Sequence, residues 1–136
     1  MRTFLDSGVL LKAWRGEELA AEALAILADD TRKFFSAQMV RLELLPKPRF
    51  EKRTAEVGFY ESFFAGASAI EPLGDELGHE AEKLGARYGL SGPDALQIAA
   101  AIRHDVQEFY TTEKPTKPMF RVRELKVISL HSLLHA

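Results

Sequence analysis

No cysteine occurs in this chain of 136 residues. That removes a disulfide framework, a thiolate zinc site and an iron–sulfur cluster from consideration, and it fits a reducing cytoplasmic setting. No apolar run approaches the ~20 residues that span a bilayer, so no membrane segment is expected. The N-terminus does not read as a secretory signal, because Asp6 interrupts the only early apolar stretch and Arg15 follows soon after. Neither sign of charge dominates: 18 Lys and Arg face 20 Asp and Glu, a formal net charge of −2. Such a balance lacks the basic excess by which nucleic-acid binders usually announce themselves. Phosphate-cradling glycine loops are missing too, with neither a Walker A motif nor G-x-G-x-x-G. His79-Glu80 lacks the second histidine of a zincin helix. His131 and His135 stand at i and i+4 but have no carboxylate beside them, and they read as a solvent-exposed tail.

What is present is an ordinary globular composition, 46% hydrophobic and 28% charged. The length is enough for one domain with a real core. No repeat, low-complexity tract or linker divides it, so residues 1–136 are read as a single domain. Charge is distributed unevenly. The stretch from Thr54 to Glu82 holds seven acids (Glu56, Glu61, Glu71, Asp75, Glu76, Glu80, Glu82) and no Lys or Arg, which leaves the remainder basic. Two proline-punctuated stretches concentrate that positive charge: Lys47 to Arg53, and Lys114 to Lys126.

Short apolar runs alternate with helical patterns. Thr3-Phe4-Leu5 reads as a strand that ends at Asp6-Ser7-Gly8. Glu17 to Asp30 carries a helical stripe of Leu19, Ala20, Ala23, Leu24 and Leu27. Lys33 to Ser36 is a second strand, and Met39 to Leu45 a helix that stops before Pro46 and Pro48. Phe50 to Phe64 reads as one helix with Phe50, Val57, Tyr60 and Phe64 on its stripe. A weak strand at Ser68 to Pro72 is followed by a helix from Asp75 to Tyr88, with Gly89 as its left-handed cap. Ser91-Gly92-Pro93-Asp94 is a strong helix start, and the helix it opens, Ala95 to His104, is apolar nearly all round. Glu108 to Thr112 and Val127-Ile128 with Leu130 supply the last strands. Strands alternating with helices predict an α/β fold, a parallel sheet covered by helices on both faces.

Ligands of such sheets bind beyond the carboxyl ends of the strands. Asp6 directly follows the first strand and Glu113 the fourth; Glu43 lies on the helix after the second, and Asp94 in the first turn of the buried helix. Carboxylates gather at a cost, since like charges raise each other's pKa, unless a cation neutralises them. Mg²⁺ or Mn²⁺ is the natural candidate. Each acid also has an ordinary reading: Asp94 as a capping-box acid, Asp6 as turn chemistry, Glu43 and Glu113 as solvated surface acids. Their joint placement is what points to a pocket.

The order Phe4-Leu5-Asp6-Ser7-Gly8-Val9-Leu10, Ser36 to Glu43-Leu44, Asp94-Ala95-Leu96-Gln97-Ile98-Ala99-Ala100-Ala101 and Phe109-Tyr110-Thr111-Thr112-Glu113-Lys114 resembles the PIN domain, from Arg2 to about Leu130. The resemblance implies a parallel-sheet α/β fold and an acidic pocket that binds Mg²⁺ or Mn²⁺ and cleaves RNA. It also implies the VapC-type toxins, which are commonly dimeric and neutralised by an antitoxin peptide. Asp6, Glu43 and Asp94 match the family's three core acids. Glu113 matches a fourth, where the family more often has Asp, so its longer side chain alters which metal or water oxygens it reaches. Ser7 and Thr112 match small hydroxyl residues that support the pocket. The resemblance further implies in-line attack by a metal-activated water, leaving a 5′-phosphate and a 3′-hydroxyl. Lys114 and Lys117 beside Glu113, with Arg49, are the expected RNA backbone contacts. The competing readings are a PIN-like domain that binds nucleic acid or protein without cutting, and a phosphatase-type domain. Asp6-Ser7-Gly8 is not the D-x-D that the last one wants.

Overall fold

The alternating runs fold into five strands and seven helices in the computed structural model, which describes residues 1–134. In chain order these are β1 (Arg2–Leu5), α1 (Ser7–Arg15), α2 (Ala20–Leu27), β2 (Lys33–Ala37), α3 (Gln38–Leu44), α4 (Pro46–Phe50), α5 (Thr54–Gly66), β3 (Ala69–Glu71), α6 (Asp75–Tyr88), α7 (Gly92–Arg103), β4 (Glu108–Thr111) and β5 (Lys126–Ser129). All strand pairs are parallel, in the order β3-β2-β1-β4-β5. Three successive residues of β1 and of β4 are buried, so helices cover the sheet on both faces, as parallel sheets require. Phe4 and Phe109 lie opposite each other in the central pair and stack at 5.2 Å, both fully buried. Each such ring contributes roughly 1.5–3 kcal/mol of apolar burial. No helix among the described residues is long and apolar enough to cross a membrane.

The structure departs from the expected elements in four places. Asp6-Ser7-Gly8 does not merely end a strand: it opens α1, with Asp6 as N-cap accepting from the Gly8 amide. Helix α3 stops before Pro46 as the sequence predicts, but a further short helix follows it directly. Pro46 starts α4, because its missing N–H falls where a helix needs none. Finally, the expected helix from Phe50 to Phe64 is split. Lys52 takes a left-handed φ of 55°, α5 begins only at Thr54, and Phe50 is left 88% exposed instead of joining a buried stripe. The second helix is also shorter than its pattern, since Leu19 sits at φ 72° before α2, held there by its buried side chain. Leu24 and Trp14 are exposed. The histidine pair cannot be assessed, because His135 lies outside the described residues.

Candidate active site

From β1 the chain first moves outward through β2 and β3, then crosses to β4 and β5 on the other side. The reversal leaves a crevice between β1 and β4 at their carboxyl ends, where open α/β sheets hold their ligands. Asp6 stands at that point. Its amide donates to the Tyr110 carbonyl (3.0 Å), which extends the β1–β4 ladder by one bond. Its carboxylate is therefore fixed by both sheet and helix. Oδ2 accepts from the Thr111 hydroxyl (2.8 Å), and Oδ1 accepts from Ser7 Oγ (3.2 Å) and the Gly8 amide (3.5 Å).

Glu43 comes from α3, which leaves the carboxyl end of β2. Its Oε1 accepts from Gln97 Nε2 on α7 (2.7 Å) and from Ser7 Oγ (3.3 Å). Ser7 thus stands between two carboxylates with one proton to give. Asp94 occupies the first turn of α7, and its amide donates to Ser91 Oγ (3.4 Å) as the sequence signal predicts. Glu113 is held by its backbone: its amide donates to Thr111 Oγ1 (3.1 Å) and its carbonyl accepts from Ser129 Oγ (2.7 Å).

Electrostatics tie the four acids together. Burial, then the Asp6 charge, raises the Asp94 carboxyl above its ordinary value; Glu113 adds to the rise and the Ser91 hydroxyl opposes it. Burial and Asp6 also raise Glu43, with a smaller push from Asp94, while Ser7 pulls the other way. Much of Glu43 is open to solvent. No cationic side chain contributes to either group. Elsewhere the protein treats its buried acids differently. Glu56 faces Arg53 at 3.2 Å, Glu71 faces Arg103 at 3.0 Å, and Glu108 faces Arg32 at 2.9 Å. Each of these three acids has an arginine to answer it, whereas no cation answers Glu43 or Asp94 in the crevice.

Among the described residues no three His, Asp or Glu side chains converge closely enough to enclose one ion by themselves. The donor set nevertheless suits a hard cation. Mg²⁺ keeps several waters and takes one or two protein carboxylates directly. A crevice of spaced, uncompensated carboxylates fits that mode of binding.

Sequence reasoning missed two contributors, Thr111 and Gln97. The hydroxyl on Asp6 belongs to Thr111, not to Thr112; strand alternation assigns only one of two adjacent threonines to a given face. Thr112 instead packs against Gly8, where an added Cβ would meet Thr112 Oγ1 at 2.6 Å. Gln97, the one polar side chain buried in α7, lies a turn after Asp94, and that pattern could have flagged it. Lys114 and Lys117 are exposed on the segment following β4, beside Glu113. Arg49 is committed elsewhere: with Arg41 it grips Glu61, at 2.7 and 2.6 Å. Tyr110 is buried, as expected of a core ring, and its hydroxyl meets Arg32 and Glu108.

The fold and crevice define a class, that of single α/β domains with an acidic pocket at the switch point of a parallel sheet. Residues 3–114 match the PIN domain family model, and the chain belongs to that family. Solved structures with the same fold include VapBC2 from Rickettsia felis bound to a DNA fragment from its promoter. That match has a TM-score of 0.70 and 15% identity, and covers 95% of this chain and 98% of the other. A toxin–antitoxin complex from Klebsiella pneumoniae matches at TM-score 0.70 and 17% identity, covering 94% of this chain and 97% of the other. FitAB bound to IR36 DNA matches at TM-score 0.70 and 16% identity, covering 94% of each chain. No curated protein sequence matches the chain.

Proposed function

We propose that this protein is a metal-dependent endoribonuclease, the toxin of a toxin–antitoxin pair acting in the cytoplasm. The observation that carries the reading is the crevice itself: four coupled carboxylates with no cation, in a protein that pairs its other buried acids with arginine. Membership of the PIN family, whose members are typically nucleases, supports it. The toxin–antitoxin complexes among the structural relatives support an antitoxin partner, and the homodimer is proposed on the family resemblance alone.

A bound Mg²⁺ or Mn²⁺ supplies positive charge for a phosphate oxygen and makes a coordinated water acidic enough to attack. Asp6 and Asp94 would hold the ion, the first anchored by Thr111 and the second by the N-terminus of α7. Glu43 and Glu113 would take hydrogen bonds from its waters, and the longer Glu113 suits an outer position of this kind. Lys114 and Lys117 would neutralise phosphates on either side of the scissile bond. Arg49, its charge taken up by Glu61, is a weaker candidate for that role.

The test is cleavage of labelled RNA by the purified chain with Mg²⁺ or Mn²⁺. Activity is expected to vanish in EDTA and in Asp6→Asn and Asp94→Asn. Equal cutting with chelator present overturns the metal mechanism. A folded chain that binds RNA but never cuts it supports the non-catalytic PIN-like reading instead.

A further inference from the structure

Helix α7 has one polar side chain where the packing asks for an apolar one. Gln97 is 1% exposed, among Ala95, Ile98, Ala99, Ala100 and Ala101 of the same helix, all of them buried. A primary amide in such a place is costly unless both its ends are bonded. Only one is. Nε2 donates to Glu43 Oε1 at 2.7 Å, a short bond as expected for a charged acceptor, and Oε1 has no partner. Turning the amide over gives no escape, because it would set two oxygens 2.7 Å apart. A leucine or methionine would fill this position with no orphaned carbonyl, so the interaction with Glu43 is what the glutamine supplies.

The geometry of that interaction is directional. Gln97 stands three residues after Asp94, one turn along the same helix face. It therefore ties the carboxylate of α3 to the helix that carries Asp94. Both donors to Glu43, Gln97 and Ser7, act on Oε1, so among the described residues Oε2 has no hydrogen-bond partner in the protein.

We infer that Gln97 is a positioning residue: its amide clamps one oxygen of Glu43 to α7 and thereby turns the other oxygen toward the cation or its water. The inference rests on the nuclease reading and deepens it. Partners that orient metal-binding carboxylates typically contribute 10–100-fold to metal affinity or activity.

The test compares the wild-type chain with Gln97→Met, which keeps the volume and removes the donor, and with Gln97→His, which restores an N–H. Mn²⁺ binding is measured by calorimetry, and melting in EDTA alongside it. Gln97→Met is expected to melt at or above the wild-type temperature, because the orphaned carbonyl is gone, and to bind Mn²⁺ about 10-fold more weakly. Its kcat on RNA should fall while KM stays close to wild type, and Gln97→His should recover part of both losses. Wild-type Mn²⁺ affinity and kcat in Gln97→Met overturn the inference alone. A Gln97→Met that melts well below wild type, with Gln97→His melting normally but binding Mn²⁺ as weakly, also overturns it, since packing and not the donor would then be at stake. A folded wild-type chain that binds no Mn²⁺ overturns the nuclease reading, and this inference falls with it.

Discussion

A carboxylate that is half out of water and faces only other carboxylates is a liability to the fold, and Asp94 has that position. Its pKa in the folded chain lies above the ordinary 3.8, so the folded state holds its proton more tightly than the unfolded state does. The stability this confers is complete below the ordinary value and is lost as pH rises through the folded value. Metal-free protein at neutral pH is therefore weakened by Asp94. Asp94→Asn is expected to raise the melting temperature in EDTA at pH 7 by about 2–5 °C, the shift that ~1 kcal/mol produces in a chain of this size. Glu61 and Glu124, held low by Arg41 and Tyr88, lose their own stabilisation as pH falls, so the signal must be read as a difference. The gap between variant and wild type should close as the pH approaches 4. A variant that melts lower than wild type at pH 7 would mean that capping outweighs repulsion. Gly8 makes a second prediction at this scale. Gly8→Ala improves helix propensity by up to ~1 kcal/mol but drives a methyl to 2.6 Å from Thr112 Oγ1. Overpacking of this kind costs roughly 1–3 kcal/mol, so a net loss in denaturant melts is expected. Thr112→Ala should restore the balance, because a double-mutant cycle isolates the contact.

Elements supply the precision that residues alone lack. Three of the four acids stand at a strand end or a helix start: Asp6 between β1 and α1, Asp94 in the first turn of α7, and Glu113 just beyond β4, while Glu43 lies in the last turn of α3. Ser91→Ala removes the N-cap of α7 and should cost about 1 kcal/mol in an equilibrium unfolding experiment. It should also lower activity more than that loss of stability explains, because the first turn carries Asp94. Intact activity in a destabilised Ser91→Ala would separate the cap from the site. This scale also marks what could be read in advance. The strands, the S-x-x-D start and Gly89, at φ 73°, were legible because local chemistry alone specifies them. Helix α1 was not, since Asp-Ser-Gly serves a turn and an N-cap equally well. Nor was the break at Lys52, where a left-handed lysine is set by the turn that brings the Arg53 amide to the Pro48 carbonyl (2.8 Å). The four acids were legible as positions, whereas Gln97 and Thr111 acquire roles only through contacts between segments distant in the chain.

For the molecule as a whole, net charge is a poor guide. The acidic stretch from Thr54 to Glu82 is largely answered by arginines from elsewhere, with Arg41 and Arg49 on Glu61 and Arg103 on Glu71, Glu76 and Glu80. No cation answers Glu43 or Asp94 in the crevice. Added Mg²⁺ should therefore stabilise the entire fold, by about 2.7 kcal/mol at 100 times its dissociation constant. A thermal melt with and without Mg²⁺ measures this, and Asp6→Asn should abolish most of the gain. An unchanged melting temperature at saturating Mg²⁺ would argue against any site in the crevice. The order of the sheet carries a last consequence, which concerns time. Asp6 is made 105 residues before Thr111, whose hydroxyl anchors it, and the Glu113 carbonyl is bonded only once Ser129 follows. A chain emerging from the ribosome thus has β1 paired on one side only until β4 has been made, about a hundred residues later, and pairings so distant in sequence form slowly. The crevice is completed late in synthesis, and on the nuclease reading proposed above a cell would have that interval in which to supply a restraining partner.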